Sequence, residues 1–312
     1  MIFRGTWCAA AAVAVVAAAA ASAFLSARCP DPSPLRGARV LLTGASSGIG
    51  AEMAVQYARL GADLMLAARR APELEATAAA ALAVGGGGAV HWHVTDMASP
   101  AAVAGLVDAA AAAFGGRLDV LMLNHAAVDD ALVVEYADAA ALAAAAAPVL
   151  NANVLGSMLA ARAALPALAA ARGHIAVVSS ASTIAPAPFH AVYVASKRAL
   201  HGFFDTLRHE LHLANVSVSI GVQVLGMIGT PAIMKDEGNR WLAISVPDAA
   251  GAMICAAQAR WRTAFVPQWY SPMTALLNAL GDEGREAAIN FSYLFNVAEY
   301  VRRIGEAKAA WA

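Results

Sequence analysis

Short apolar runs alternate along this chain with longer stretches whose apolar residues recur at helical spacing. The short runs fall at 40–42, 63–68, 90–94, 120–123, 175–178, 216–224 and 263–266. Most carry few polar residues on either face, as strands covered on both sides by helices do. The longer stretches predict helices over 49–60, 72–84, 100–114, 139–171, 193–213 and 246–259. The punctuation agrees. Pro72 stands in the first turn of one helix, Gly61 and Gly115-Gly116 stop two others, and the glycines at 85–88 make a flexible loop. Strand and helix in regular alternation predict an α/β fold: one doubly wound, Rossmann-type domain on a parallel sheet, over 39–268.

Both ends of the chain fall outside this pattern. Arg4 precedes an uncharged, alanine-rich stretch over 5–27, long enough to span a bilayer. Segment 1–28 reads first as an uncleaved signal anchor. A signal peptide cut near Ala21-Ser22-Ala23 and a transit-type leader are the alternatives. Flanking charges leave the orientation open, with Arg4 on one side and Arg28, Arg36 and Arg39 on the other. Pro30, Pro32 and Pro34 stiffen a linker over 29–38. Segment 269–312 carries Trp269, Tyr270, Phe291, Tyr293, Phe295 and Tyr300 close to Arg302 and Arg303. It reads either as an interfacial amphipathic helix or as an extra helix covering the core.

Composition narrows the class. With 312 residues and a formal net charge of −1, the chain can bury a large core and has no electrostatic reason to bind nucleic acid. The hydrophobic share of 60% is inflated by alanine and does not by itself indicate a membrane protein. Cys8, Cys29 and Cys255 are too few and too scattered for a disulfide framework or a zinc site. His91, His93, His125, His209 and His212 lack metal-ligand spacing, and each reads as a surface or packing residue. No metal is expected.

The candidate chemistry begins where the first strand runs into Thr43-Gly44-Ala45-Ser46-Ser47-Gly48-Ile49-Gly50. Glycines there permit a tight turn, let backbone N–H groups approach a phosphate, and let the next helix pack close. The helix start favours the anion. A glycine-rich loop without a ligand is the plain alternative. The second strand ends at Arg69-Arg70, where NAD-binding folds carry a carboxylate. A guanidinium suits a 2′-phosphate, so Arg69 points to NADP(H). Two solvated arginines would look the same. Asp96, after the third strand, suits the adenine edge or a turn. Tyr193 and Lys197 stand four apart on a helix and share a face. An ammonium beside a phenol favours the phenolate, which would lower the Tyr193 pKa and make it a usable general acid/base. Such a pair alone is usually a helix-surface contact; its place after the fifth strand and Ser179-Ser180 sets it apart.

Together these residues resemble the short-chain dehydrogenase/reductase family over about 36–270. Residues 43–50 match its cofactor turn, Asn124 the asparagine after its fourth strand, and Asn153, Ser180, Tyr193 and Lys197 its catalytic tetrad. The resemblance implies that Ser180 binds the substrate oxygen and Tyr193 exchanges a proton with it. Lys197 would tune Tyr193 and hold the nicotinamide ribose, and Asn153 would position a relay water. Gly44, Ser46, Ser47, Gly48, Ile49, Gly50, Arg69, Asp96, Asn124, Ile228 and Thr230 would then contact the cofactor, with Tyr193 and Lys197. Within the family the chain more closely resembles the 11-beta-hydroxysteroid dehydrogenase type 1 group, including its type 1-like members. Leu123-Asn124-His125, Asn153-Val154, Val177-Val178-Ser179-Ser180, Asp205, Asn215-Val216-Ser217 and Val224-Leu225-Gly226-Met227-Ile228 carry that likeness. Asn-His and Leu-Gly stand here where most of the family has Asn-Asn-Ala-Gly and Pro-Gly.

That group implies a steroid substrate, a homodimer, and a C-terminal extension at the dimer and membrane face. The loop over 184–189 departs from it, with Ala187 near the place of a steroid-contacting tyrosine. Retinoid or other lipid carbonyls are therefore the alternative substrates, and a catalytically silent nucleotide-binding scaffold is the alternative of another class. The sequons at Asn215 and Asn290, with the apolar N-terminus, favour an endoplasmic reticulum membrane protein with a lumenal catalytic domain. Secretion after signal cleavage is the alternative.

Overall fold

The computed structural model describes residues 35–186, 188–230 and 243–281, with 283, 284, 286, 287, 302 and 305 beyond them. The anchor, most of the linker, most of the C-terminal extension, Ala187 and Asn290 lie outside the described residues.

Seven strands form one parallel sheet in the order β3-β2-β1-β4-β5-β6-β7. They are β1 Arg39–Thr43, β2 Asp63–Ala68, β3 Val90–Val94, β4 Val120–Leu123, β5 His174–Ser180, β6 Ser219–Leu225 and β7 Thr263–Val266. The helices are α1 Gly48–Arg59, α2 Ala71–Ala83, α3 Pro100–Ala113, α4 Ala139–Leu150, α5 Ser157–Ala171, α6 Ala191–Leu213, α7 Val246–Gln258 and α8 Tyr270–Ala279.

Strand pleating divides the apolar runs between two cores. On β1, Val40 and Leu42 pack on one face with Met53 and Tyr57 of α1, Leu74 of α2 and Met253 of α7. Leu41, between them, packs on the other face with Leu106 of α3, Ala164 of α5 and Phe204 of α6. β2 repeats the pattern, Leu64 and Leu66 on one side, Met65 and Ala67 on the other. Period-two alternation of apolar side chains, all buried, is what a central parallel strand requires. Strand order reverses between β1 and β4, so their carboxyl ends part and leave a crevice where ligands bind in such sheets.

The elements follow the expected pattern, with one shift in bounds. The helical region over 139–171 is present as expected, with a π-helical segment, Asn151–Gly156, between α4 and α5. The sixth strand starts at Ser219, because Asn215 turns left-handed (φ 55°) and the Val218 N–H bonds back to the Val216 carbonyl. Cys255, buried on α7, is disulfide-bonded.

Candidate active site

The turn after β1 is shaped by two glycines. Gly44 has φ +69°, and a Cβ on it would lie 2.8 Å from His125 Cα. A Cβ on Gly50 would lie 2.1 Å from the Gly44 carbonyl oxygen. Both obstacles are backbone atoms, so larger residues would open the turn. Asn124 braces it from β4, its Nδ2 donating to the Thr43 and Gly44 carbonyls at 3.2 and 3.3 Å.

A cleft of about 540 Å³ opens here, within the roughly 300–1,000 Å³ of small-molecule sites. The turn lines it through Gly44, Ser46, Ser47, Gly48, Ile49 and Gly50, joined by Arg69, Arg70, Asp96, Asn124 and Thr230. Ile228 does not line it; it is 4% exposed and bridges to Ile244. Asp96 also closes a turn, its Oδ1 accepting the Ala98 N–H at 3.0 Å. Arg70, which sequence reasoning put behind Arg69, makes the contacts with the turn. Its Nη2 donates to Ser46 Oγ at 3.2 Å and Ser47 Oγ at 2.9 Å, and its Nη1 pairs with Glu73 at 3.0 Å. Backbone N–H groups at a helix start, hydroxyls and two guanidiniums fit a phosphate-bearing dinucleotide.

The predicted tetrad assembles at the carboxyl end of β5, which ends at Ser180. The Ser180 hydroxyl acts on the Tyr193 phenol closely enough to hold its pKa down and accepts from Ser182 Oγ at 2.9 Å. Lys197, one turn along α6 from Tyr193, is 2% exposed. Its Nζ donates to the Val178 carbonyl at 2.8 Å and sits 5.7 Å from the Tyr193 ring centre. Burial lowers the Lys197 pKa to about 8, which leaves it mainly charged at neutral pH. The expectation that Lys197 pulls the Tyr193 pKa down is corrected. Burial raises it, and the Ser180 hydroxyl opposes that rise without cancelling it.

Asn153 lies in the π-helical segment, a local widening frequent at functional sites. It is 1% exposed. Its Oδ1 accepts the Ala127 N–H at 2.7 Å, and its Nδ2 donates to the Ala127 carbonyl at 2.8 Å and Ser196 Oγ at 2.9 Å. Ser196 in turn donates to the Tyr193 carbonyl at 2.6 Å. Asn153 therefore ties the loop after β4 to the helix that carries Tyr193.

His125 proves more than a packing residue, and the Asn-His dipeptide was the signal for it. It lines the cleft beside Asn124. Ala152's carbonyl can only accept, so Nε2–H donates to it at 2.9 Å and Nδ1 accepts from Thr43 Oγ1 at 2.8 Å. Burial lowers the His125 pKa to about 4, so the ring is neutral at pH 7.

Comparison with known proteins shows the family. A family model described as short chain dehydrogenase matches residues 38–240. The hydroxysteroid 11-beta-dehydrogenase 1-like protein of Gallus gallus is 39% identical over 251 residues, covering 78% of this chain and 84% of that protein. A solved metagenomic short-chain oxidoreductase in complex with NADP aligns with TM-score 0.61 at 28% identity, over 75% of this chain and 96% of that one. A short chain dehydrogenase/reductase from Burkholderia phymatum, solved with NAD, aligns with TM-score 0.67 over 78% of this chain and 94% of that one. At 23% identity that second likeness speaks for the fold.

Proposed function

Because this chain is an oxidoreductase of the short-chain dehydrogenase/reductase family, we propose that it uses NADP(H) to interconvert a hydroxyl and a ketone on a hydrophobic substrate, a steroid first among the candidates. The observation that carries this reading is the meeting of Ser180, Tyr193 and Lys197 at the end of β5, with Asn153 tied to the same helix. A bound nicotinamide cofactor supplies or accepts the hydride. The protein's own residues handle the oxygen. Ser180 and the Tyr193 phenol orient and polarise it, and Tyr193, protonated at neutral pH, donates the proton in the reductive direction. Lys197 uses one N–H on Val178 and keeps two donors for a ribose. Asn153 braces the loop; its Oδ1 retains a second lone pair for the relay water that the resemblance implies.

An apolar substrate is supported by the loops on this side of the sheet. Val128, Val133 and Val134 are exposed there, and the loop over 184–189 offers no polar side chain. The name of the Gallus gallus relative favours a steroid over a retinoid or another lipid carbonyl. A steady-state NADPH oxidation assay with ketosteroids, retinal and small carbonyls tests the reading; turnover of none of them would leave the silent scaffold.

NADP(H) is favoured over NAD(H) by Arg69 and Arg70 at the cleft. Charge-assisted hydrogen bonds contribute about 1.5–3 kcal/mol, so the double replacement Arg69→Ser, Arg70→Ser should weaken NADPH binding roughly ten- to a hundredfold and NADH binding far less. Tighter binding of NADH than NADPH by the wild-type protein would end this preference.

We place the catalytic domain in the lumen of the endoplasmic reticulum, as a homodimer held by the N-terminal anchor. Two features support an oxidising, glycosylating compartment: the disulfide at Cys255 and the sequon at Asn215, exposed at the corner between α6 and β6. In eukaryotic cells the protein should shift in mobility on endoglycosidase treatment, and Asn215→Gln should reduce that shift. An unglycosylated, protease-accessible domain on intact microsomes would put it on the cytosolic face.

A further inference from the structure

The helix that carries Tyr193 and Lys197 begins without a cap of its own. His190 occupies the N-cap position of α6 and makes no side-chain cap bond, although the first-turn N–H groups of a helix need acceptors. The acceptor comes from the loop after β4. Asp129 Oδ1 accepts the Tyr193 N–H at 2.8 Å, and Oδ2 accepts the Val192 N–H at 3.3 Å. Asp129 is 8% exposed, and its charge faces the positive end of α6. Further contacts lock the same place. His190 Nδ1–H donates to the Asp129 carbonyl at 2.6 Å, the Ala131 N–H donates to the Phe189 carbonyl at 2.9 Å, and Ala131 bridges to His190. Two residues before Asp129, Ala127 is held on both sides of its peptide by Asn153.

We propose that Asp129 is a positioning residue for Tyr193. Its carboxylate sets the backbone of Tyr193 so that the phenol meets Ser180, and the loop from Ala127 to Ala131 makes that setting dependent on Asn153. Proton transfer needs the phenol within hydrogen-bond reach of the reacting oxygen, and a displacement of about 1 Å can cost roughly a hundredfold in rate. A cap that only stabilised the fold would change the melting temperature and leave turnover per folded molecule alone. The sequence held one hint: no serine, threonine, aspartate or asparagine stands just before Ala191.

The inference rests on Tyr193 being the acid/base, so Tyr193→Phe is measured beside Asp129→Ala and Asp129→Asn. All three are full-length enzymes, assayed below their melting temperatures with NADPH and whichever carbonyl the wild type reduces. In Asp129→Ala, kcat should fall roughly ten- to a hundredfold, with KM and NADPH affinity within about twofold of wild type. Asp129→Asn keeps an acceptor oxygen for the Tyr193 N–H and should recover part of the loss. Wild-type kcat in Asp129→Ala overturns the proposal, or in Asp129→Asn if the alanine variant does not fold. So does a kcat loss matched by an equal loss of NADPH affinity. Turnover kept in Tyr193→Phe overturns the reading beneath it. Turnover lost there but kept in Asp129→Ala overturns the inference alone.

Discussion

Replacing Tyr193 by phenylalanine should lower kcat by roughly 10²–10⁴-fold, the range general acid–base catalysis supplies, while NADPH still binds within about twofold of wild type. The variant keeps the ring and loses only the hydroxyl. The proton it would transfer and the interaction with Ser180 go with it. Both act at the chemical step, so kcat and kcat/KM fall together. The ring itself is partly buried, and Lys197 holds its Val178 contact independently of the phenol. Cofactor affinity and melting temperature should therefore report an intact fold. Single-turnover rates with saturating NADPH, set beside NADPH titrations, make the measurement. Wild-type turnover in the variant would move the chemistry to another group.

The second large effect is acid destabilisation below pH 6.5. Burial lowers the pKa of both His125 and His174 from 6.5 to about 4. Between those values the unfolded chain binds protons that the folded protein refuses, so stability rises with pH through this window and is flat, for these groups, above it. At pH 4 the cost is on the order of 3 kcal/mol for His174, from a shift of about 1.4 kcal/mol per unit. It is smaller for His125, whose ring edge meets the cleft and its solvent. Sums of this size are comparable with the whole stability of a domain, about 5–15 kcal/mol. His174 is 1% exposed at the start of β5, with Nδ1 2.9 Å from Ser219 Oγ and the charges of Arg260 and Arg208 also disfavouring its cation. Urea denaturation at pH 7 and pH 4.5 should show the loss, and His174→Gln should be less stable at pH 7 but show a shallower pH dependence. An unchanged slope in that variant would mean the carboxylates alone govern the acid limb.

Much of the candidate site was legible because it is written in short, local motifs. The turn from Thr43 to Gly50, the helical spacing of Tyr193 and Lys197, and Ser180 at a strand end each follow from neighbours in the chain. Their chemistry was less legible. From spacing alone, Lys197 should depress the Tyr193 pKa. Burial, which depends on how α6 lies against β5, raises it. The cofactor-selecting charge was assigned to Arg69; both arginines line the cleft, and the one that reaches Ser46 and Ser47 is Arg70. Adjacent residues at a strand end differ in where they point, and only the packed turn decides between them.

By itself, then, the sequence determined the layer architecture and its parallel strands. Burial on both faces demands continuous apolar runs, and right-handed helical crossovers between them need the intervening amphipathic stretches. It also determined the glycine turn, since no other residue tolerates Gly44's φ with His125 Cα 2.8 Å from its Cβ position. Tertiary structure alone decided what happens between distant segments. The π-helical segment that seats Asn153, the neutral His125 between Thr43 and the Ala152 carbonyl, and the capping of α6 by Asp129 join groups many residues apart. Such contacts leave no periodicity in the chain. They exist because buried N–H groups and charges must find acceptors and donors, and the nearest ones belong to whichever element the fold has brought alongside.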